Sequence, residues 1–121
     1  MALTLTACVQ QELEPPASAE PQYRGSAVTF LTDDLAQVAV EMNAGSTTEA
    51  LKSYADCALA EAMTLNDAEF ARHVRTLTSE ESGIARADAV YTLSTVRPDG
   101  DFVLDGTETR TACADQGIPG V

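Results

Sequence analysis

One segment decides the fold: residues 46–65, with the sequence STTEALKSYADCALAEAMTL. Its apolar residues recur at spacings of three and four, which places them on one face of a helix. That face consists of Leu51, Tyr54, Ala55, Ala58, Ala62 and Leu65. Alanines occupy its centre, so a β-sheet can approach the helix axis closely. Lys52, Asp56 and Ala60 are expected on the opposite side of the helix.

The start of the helix and the place of its cysteine follow from the same segment. Gly45 ends the preceding element, and Ser46 with Glu49 fits a capping box, in which each side chain bonds to the backbone N–H of the other residue. Cys57 lies about 100° from the centre of the apolar stripe. We therefore expect Cys57 at the margin of the buried face, where it can meet a loop or a chain end.

The segments around the helix show the period of two that is typical of strands. Strands are predicted at 24–31, 35–42, 70–78, 85–96 and 102–112, with a bulge or break at Asp105-Gly106. Gly117 and Pro119 predict an irregular end over 113–121. The order β-β-α-β-β-β indicates an α+β fold, an antiparallel sheet with one helix packed on one face. The other sheet face is then either solvated or a surface for a partner.

Charge limits the partners of the protein. The chain has 121 residues and a formal net charge of −12, with 19 acidic residues against 7 basic ones. A nucleic-acid partner is not expected, because phosphate binding needs a basic face. Four arginines meet only three acidic residues within 70–97, so a locally basic sheet face is one interpretation. Ordinary pairing with acidic residues on neighbouring strands is the other.

The N-terminus resembles the lipobox of bacterial lipoproteins, which is an aliphatic residue and two small residues before a cysteine. It is formed here by residues 5–8, LTAC, so the resemblance implies lipidation of Cys8. Residues 9–22 are polar and proline-rich, as in a disordered tether before a single domain at 23–121. Only seven residues, without Lys or Arg, precede Cys8. The segment is thus expected to be the remnant of a longer signal, or else the match is chance.

A lipid on Cys8 would determine where the protein resides. Val9 rather than Asp follows the cysteine, and by the sorting rule of enterobacterial lipoproteins this implies an outer-membrane anchor facing the periplasm. No apolar run of about twenty residues is present, so membrane contact is expected only through the anchor. Cys57 and Cys113 then remain as an even pair, which in an exported protein predicts a disulfide. Two separate buried thiols are the alternative.

Three further pieces of sequence carry a resemblance to a known family. They are residues 70–76 (FARHVRT), residues 86–94 (RADAVYTLS), and Cys113 followed by 117–119 (GIP). Together they resemble an uncharacterised family of small exported alphaproteobacterial proteins, from about Val28 to the C-terminus. The resemblance implies export and the two cysteines. It implies no chemistry, because the family has no assigned activity.

The sequence contains no recognisable catalytic set, and we predict no catalytic residues, no cofactor and no metal site. Arg72, His73 and Arg75 are candidate contacts for an anion or an acidic partner. Solvation and pairing with acidic residues are the alternative for them. The leading hypothesis is a non-enzymatic envelope lipoprotein domain that binds a protein or another envelope component. The second is a small-ligand or anion binder, or a small enzyme, centred on His73 and Arg75.

Overall fold

A computed structural model describes residues 20–121, and the predictions for Cys8 and the lipobox lie outside this range. The elements are β1 Tyr23–Thr32, β2 Leu35–Asn43, α1 Thr48–Ala62, a 3₁₀ turn Met63–Leu65, β3 Phe70–Glu81, β4 Ile84–Ser94, β5 Val103–Asp105 and α2 Gly106–Gln116. The five strands form one antiparallel sheet in the order β1-β2-β4-β3-β5. The predicted α+β class is confirmed.

The sheet has a buried face, here called the inner face, which α1 covers. Alternate residues of the two central strands β2 and β4 supply it: Ala36, Val38, Val40, Met42, Ala85, Ala87, Ala89, Tyr91 and Leu93. Leu51, Tyr54, Ala55 and Ala58 of α1 belong to the same core cluster. Both α1 and the inner face of the sheet thus have small side chains at their contact, so the helix packs close to the sheet. The opposite side of the sheet is called the outer face.

The predicted ends of α1 were wrong in detail. Thr47, not Ser46, is the N-cap, and its hydroxyl accepts a hydrogen bond from the N–H of Ala50 at 3.0 Å. The hydroxyl of Ser46 instead donates to the carbonyl of Asn43 at 2.7 Å, which removes it from the predicted capping box. At the other end the helix tightens into the 3₁₀ turn, and Leu65 is 86% exposed rather than buried.

The predicted last strand and irregular C-terminus were also wrong. Only Val103–Asp105 is a strand, and α2 follows it at once, so the fold has two helices. A carboxylate oxygen of Asp105 accepts hydrogen bonds from the N–H groups of Thr107 and Glu108 at 3.0 and 3.1 Å. Asp105-Gly106 thus starts a helix instead of making a bulge. Gly117, with φ of 70°, ends that helix in the left-handed conformation.

The second helix explains why the predicted exposed side of α1 is partly covered. α2 packs against α1 and leaves Ala60 only 1% exposed. The guanidinium of Arg110 also donates to the carbonyl of Ala60 at 2.6 Å. No helix within residues 20–121 is long and apolar enough to span a bilayer.

Candidate functional site

The disulfide predicted from the cysteine count is present and joins the two helices. Cys57 of α1 and Cys113 of α2 are bonded, with 5.9 Å between their Cα atoms. Both residues are buried, at 4% and 8% exposure. Cys113 lies inside a helix and not in a loose tail, so the bond attaches one regular element to another.

The three residues predicted as a contact site do not lie together. Arg72 pairs with Thr92 and Arg75 pairs with Val90, whereas His73 pairs with the buried Tyr91. Residues directly opposite each other in an antiparallel ladder share a face of the sheet. Both arginines therefore lie on the outer face, and His73 lies on the inner face beside α1.

A bulge in β3 makes this arrangement possible. The register shifts between His73 and Arg75, which leaves Val74 as an extra residue. In an unbroken strand, residues 72 and 75 would point to opposite sides, because side chains alternate. Sequence reasoning missed the bulge, since neither glycine nor proline marks it.

The outer face carries more than half of the positive side chains of the protein. Four of the seven cationic residues lie on or against it: Arg72, Arg75, Arg86 and Arg97. Arg86 is paired with Glu41 at 2.9 Å, and the guanidinium of Arg97 lies 6.0 Å from the centroid of the Phe70 ring. Arg72 and Arg75 are exposed and form no ion pair with any residue in the described range 20–121.

A hollow of about 270 Å³ lies on the same face, and Leu77 in its lining is two residues from Arg75 along β3. The side chains that line it are mixed in character: Ala39, Glu41, Leu77, Ser79, Arg86 and Asp88. Leu77 is 57% exposed, and Val74 beside Arg75 is 54% exposed. The outer face thus offers two guanidinium groups without ion pairs, the exposed aliphatic side chain of Leu77 and the hollow beside it.

His73 belongs to a different group of residues, at the contact between the sheet and α1. Its ring packs edge-on against Tyr91, with 5.5 Å between the centroids, and bonds to the hydroxyl of Thr76 at 2.5 Å. The hydroxyl of Tyr91 in turn donates to the carboxylate of Asp56 at 2.6 Å. Sequence reasoning assigned no role to Asp56, because the helical period places it opposite the apolar stripe.

Burial dominates the electrostatics of this inner group. Desolvation raises the pKa of Asp56 above its usual 3.8, although the hydrogen bond from Tyr91 and the charges of His73 and Lys52 act in the other direction. Burial, together with the charge of Asp56, also raises the pKa of Tyr91. Asp56 is therefore a partly buried carboxyl group, and the hydroxyl of Tyr91 is a strong hydrogen-bond donor to it.

No cluster of three or more His, Cys, Asp or Glu residues that could hold a metal ion occurs among the residues from 20 to 121. The polar residues described above form two separate groups, one on each face of the sheet. The outer face carries unpaired positive charge at the surface, and the inner group forms hydrogen bonds inside the fold.

Comparison with known proteins places the chain in a family. No solved structure matches it. It is 33% identical over 108 residues to a protein of Paracoccus denitrificans named "Uncharacterized 26.9 kDa protein in nqo8 5'region", covering 84% of this chain and 42% of that protein. The chain thus spans less than half the length of this relative. The resemblance to an uncharacterised family is confirmed, since residues 23–117 match the YNQ4 C-terminal domain, and the chain belongs to this family.

Proposed function

We propose that the protein is a non-enzymatic binding domain of the bacterial cell envelope, which engages an acidic segment of a partner protein through its outer face. The observation that carries the proposal is the exposed pair Arg72 and Arg75, which has no ion pair within residues 20–121 in a chain of net charge −12. Guanidinium groups bind carboxylates in a two-pronged geometry, so a carboxylate-bearing partner suits them.

The surroundings of the pair support a protein partner over a lipid surface. Leu77 and the hollow that it lines provide apolar contact, which protein interfaces combine with arginine. The net charge of −12 opposes adsorption to an anionic bilayer. An enzyme centred on His73 and Arg75 has no geometric support, because the two residues lie on opposite faces of the sheet.

Site-specific photo-cross-linking in cells tests the docking face. A photoreactive amino acid at Leu77, on the outer face, is expected to give a discrete cross-linked product. The same group at Glu80, which is exposed but paired with Ala85 of the inner face, is the matched control and should give none. The Arg72→Glu/Arg75→Glu variant should abolish the product at position 77, because it reverses the charge that a carboxylate would meet.

Two results would contradict the proposal: equal cross-linking from both positions, or a product at position 77 that survives the double charge reversal. Cross-linking to lipid instead of protein would show that the face contacts the membrane and would also refute a protein partner.

The envelope location depends on Cys8, which lies outside the described residues. We expect the product of the complete gene to incorporate radioactive palmitate in a bacterial host, because residues 5–8 resemble a lipobox. Cys8→Ala should abolish the label, and the labelled protein should fractionate with the outer membrane. Absence of label, or label that persists in Cys8→Ala, would exclude this anchor.

A further inference from the structure

One edge of the sheet is open and long. The strand order places β1 at an edge, and β1 runs over ten residues, whereas β5 at the other edge has three. Within residues 20–121 no strand pairs with the outer edge of β1. An edge strand presents free N–H and C=O groups that can pair with another strand.

Between its two ends, β1 has few of the features by which soluble proteins protect such an edge, although the hydroxyl of Ser26 donates to the carbonyl of Gly120 in the C-terminal segment at 3.3 Å. It contains no proline and a single charged residue, Arg24. Its register shifts fall only at its ends, between Tyr23 and Gly25 and between Phe30 and Thr32. The stretch 25–30 between them pairs regularly with β2. The edge is therefore regular and free of acidic residues in an otherwise acidic chain.

The side chains of β1 that point to the inner face lie at the margin of the core. Tyr23, Val28 and Phe30 pack against the core cluster but are only half-buried. A strand added beside β1 would cover this row and extend the core, provided that it brought apolar side chains to the same face. A second β1 supplies such a row.

We propose that a second copy of this chain pairs with β1 in antiparallel fashion, across a two-fold axis at Val28, and forms a continuous ten-stranded sheet. A two-fold interface uses the same surface on both subunits, and an antiparallel strand pair satisfies this requirement. In this register, residue 24 of one copy faces Thr32 of the other. The two copies of Val28 meet at the axis, and both helical layers lie on the same side of the sheet.

Charge favours a second copy as the occupant of the edge. Arg24 forms no ion pair with any other residue of the described range. In the proposed dimer it lies beside the turn at Asp33 and Asp34 of the second copy, which follows β1 directly. The two-fold axis produces this contact twice. These contacts offset part of the repulsion between two acidic subunits.

The test measures the mass of the whole chain, with Cys8→Ser to prevent dimers linked through that thiol. Sedimentation equilibrium is expected to show the mass of one chain at low concentration and of two chains as the concentration rises toward ~1 mM, the limit for weak association. Hydrogen exchange should slow over the same concentration range at the alternate amides of residues 26–30 that point away from β2, because the second strand covers them, whereas the amides bonded to β2 are protected already.

Charge reversal identifies the interface. Arg24→Glu is expected to weaken dimerisation about tenfold, because it places like charges together at two symmetric positions. Arg24→Glu combined with Asp33→Arg in the same chain should restore the affinity, since the pair is re-formed with reversed signs. Arg97→Glu, an exposed arginine away from β1, is the control and should leave dimerisation unchanged.

A protein that remains monomeric up to ~1 mM would overturn the proposal. A dimer that Arg24→Glu does not weaken, or one in which exchange at the β1 amides pointing away from β2 does not change with concentration, would overturn it as well. The outer face is not part of this interface, so loss of cross-linking at position 77 and loss of the dimer are separate results.

Discussion

Replacement of both Cys57 and Cys113 by alanine is expected to lower the free energy of unfolding by about 4 kcal/mol. The bond separates residues by 56 positions in the sequence, and the chain-entropy model gives this value for a loop of that length. For a domain of this size, the loss corresponds to a fall of roughly 20 °C in the melting temperature. Urea unfolding of the variant and of wild type, both with Cys8→Ser, measures the difference.

Loss of the bond should also loosen α2 in the folded state. Its buried residues are only Gly106 and Cys113, so little apolar surface holds it to α1. Without the disulfide, we expect the amides of α2 to exchange rapidly, whereas those of β2 and β4 stay protected. Reduced and alkylated wild type should reproduce the result. A loss below about 1 kcal/mol would show that packing, not the bond, holds α2 in place.

The same helix shows what the sequence could not reveal. α1 was predicted because its apolar residues follow the helical period, and the four longer strands were predicted because their residues alternate. In α2, GTETRTACADQ has no apolar stripe, so no periodic signal distinguishes it from a polar strand. The N-cap at Asp105 and the disulfide at Cys113 define this helix instead. The disulfide forms because two residues that are distant in the sequence are close in the fold, and the local sequence does not show this.

The candidate site was predictable in composition but not in geometry. The sequence predicts the arginines of β3 only as candidate contacts for an anion or an acidic partner, and the face that they share depends on the bulge at Val74. A single inserted residue reverses every later side chain of a strand, and its position follows from pairing with β4 rather than from local sequence. Strand order is equally non-local, so the open edge of β1 could be identified only from the fold.

Tyr91→Phe is the second substitution with a large expected effect, a loss of about 1–3 kcal/mol in the free energy of unfolding at neutral pH. It removes the hydroxyl that donates to Asp56 at 2.6 Å and leaves a partly buried carboxylate without this donor. The aromatic ring and its packing are otherwise retained. Urea unfolding at pH 7 and at pH 3 measures the loss, which should be smaller in acid, where Asp56 is protonated and carries no charge.

The pH dependence isolates the contribution of Asp56. Its pKa is raised on folding, so the unfolded chain releases this proton at a lower pH than the folded one. Asp56 therefore causes a loss of stability as pH rises from 3.8, its ordinary value, through its folded-state pKa, with no further loss above that. Asp56→Asn cannot ionise, so its stability relative to wild type should rise across this window and then level off.

Two controls separate this effect from that of total charge. Asp115→Asn removes one negative charge at an exposed site on α2, and we expect it to change stability by no more than about 0.5 kcal/mol. In the Asp56→Asn background, Tyr91→Phe should cost less than in wild type, because no carboxylate is left without its donor. If Tyr91→Phe costs the same in both backgrounds and at both pH values, the hydroxyl acts independently of Asp56. The hydrogen bond between Tyr91 and Asp56 would then contribute no coupling energy between α1 and the sheet.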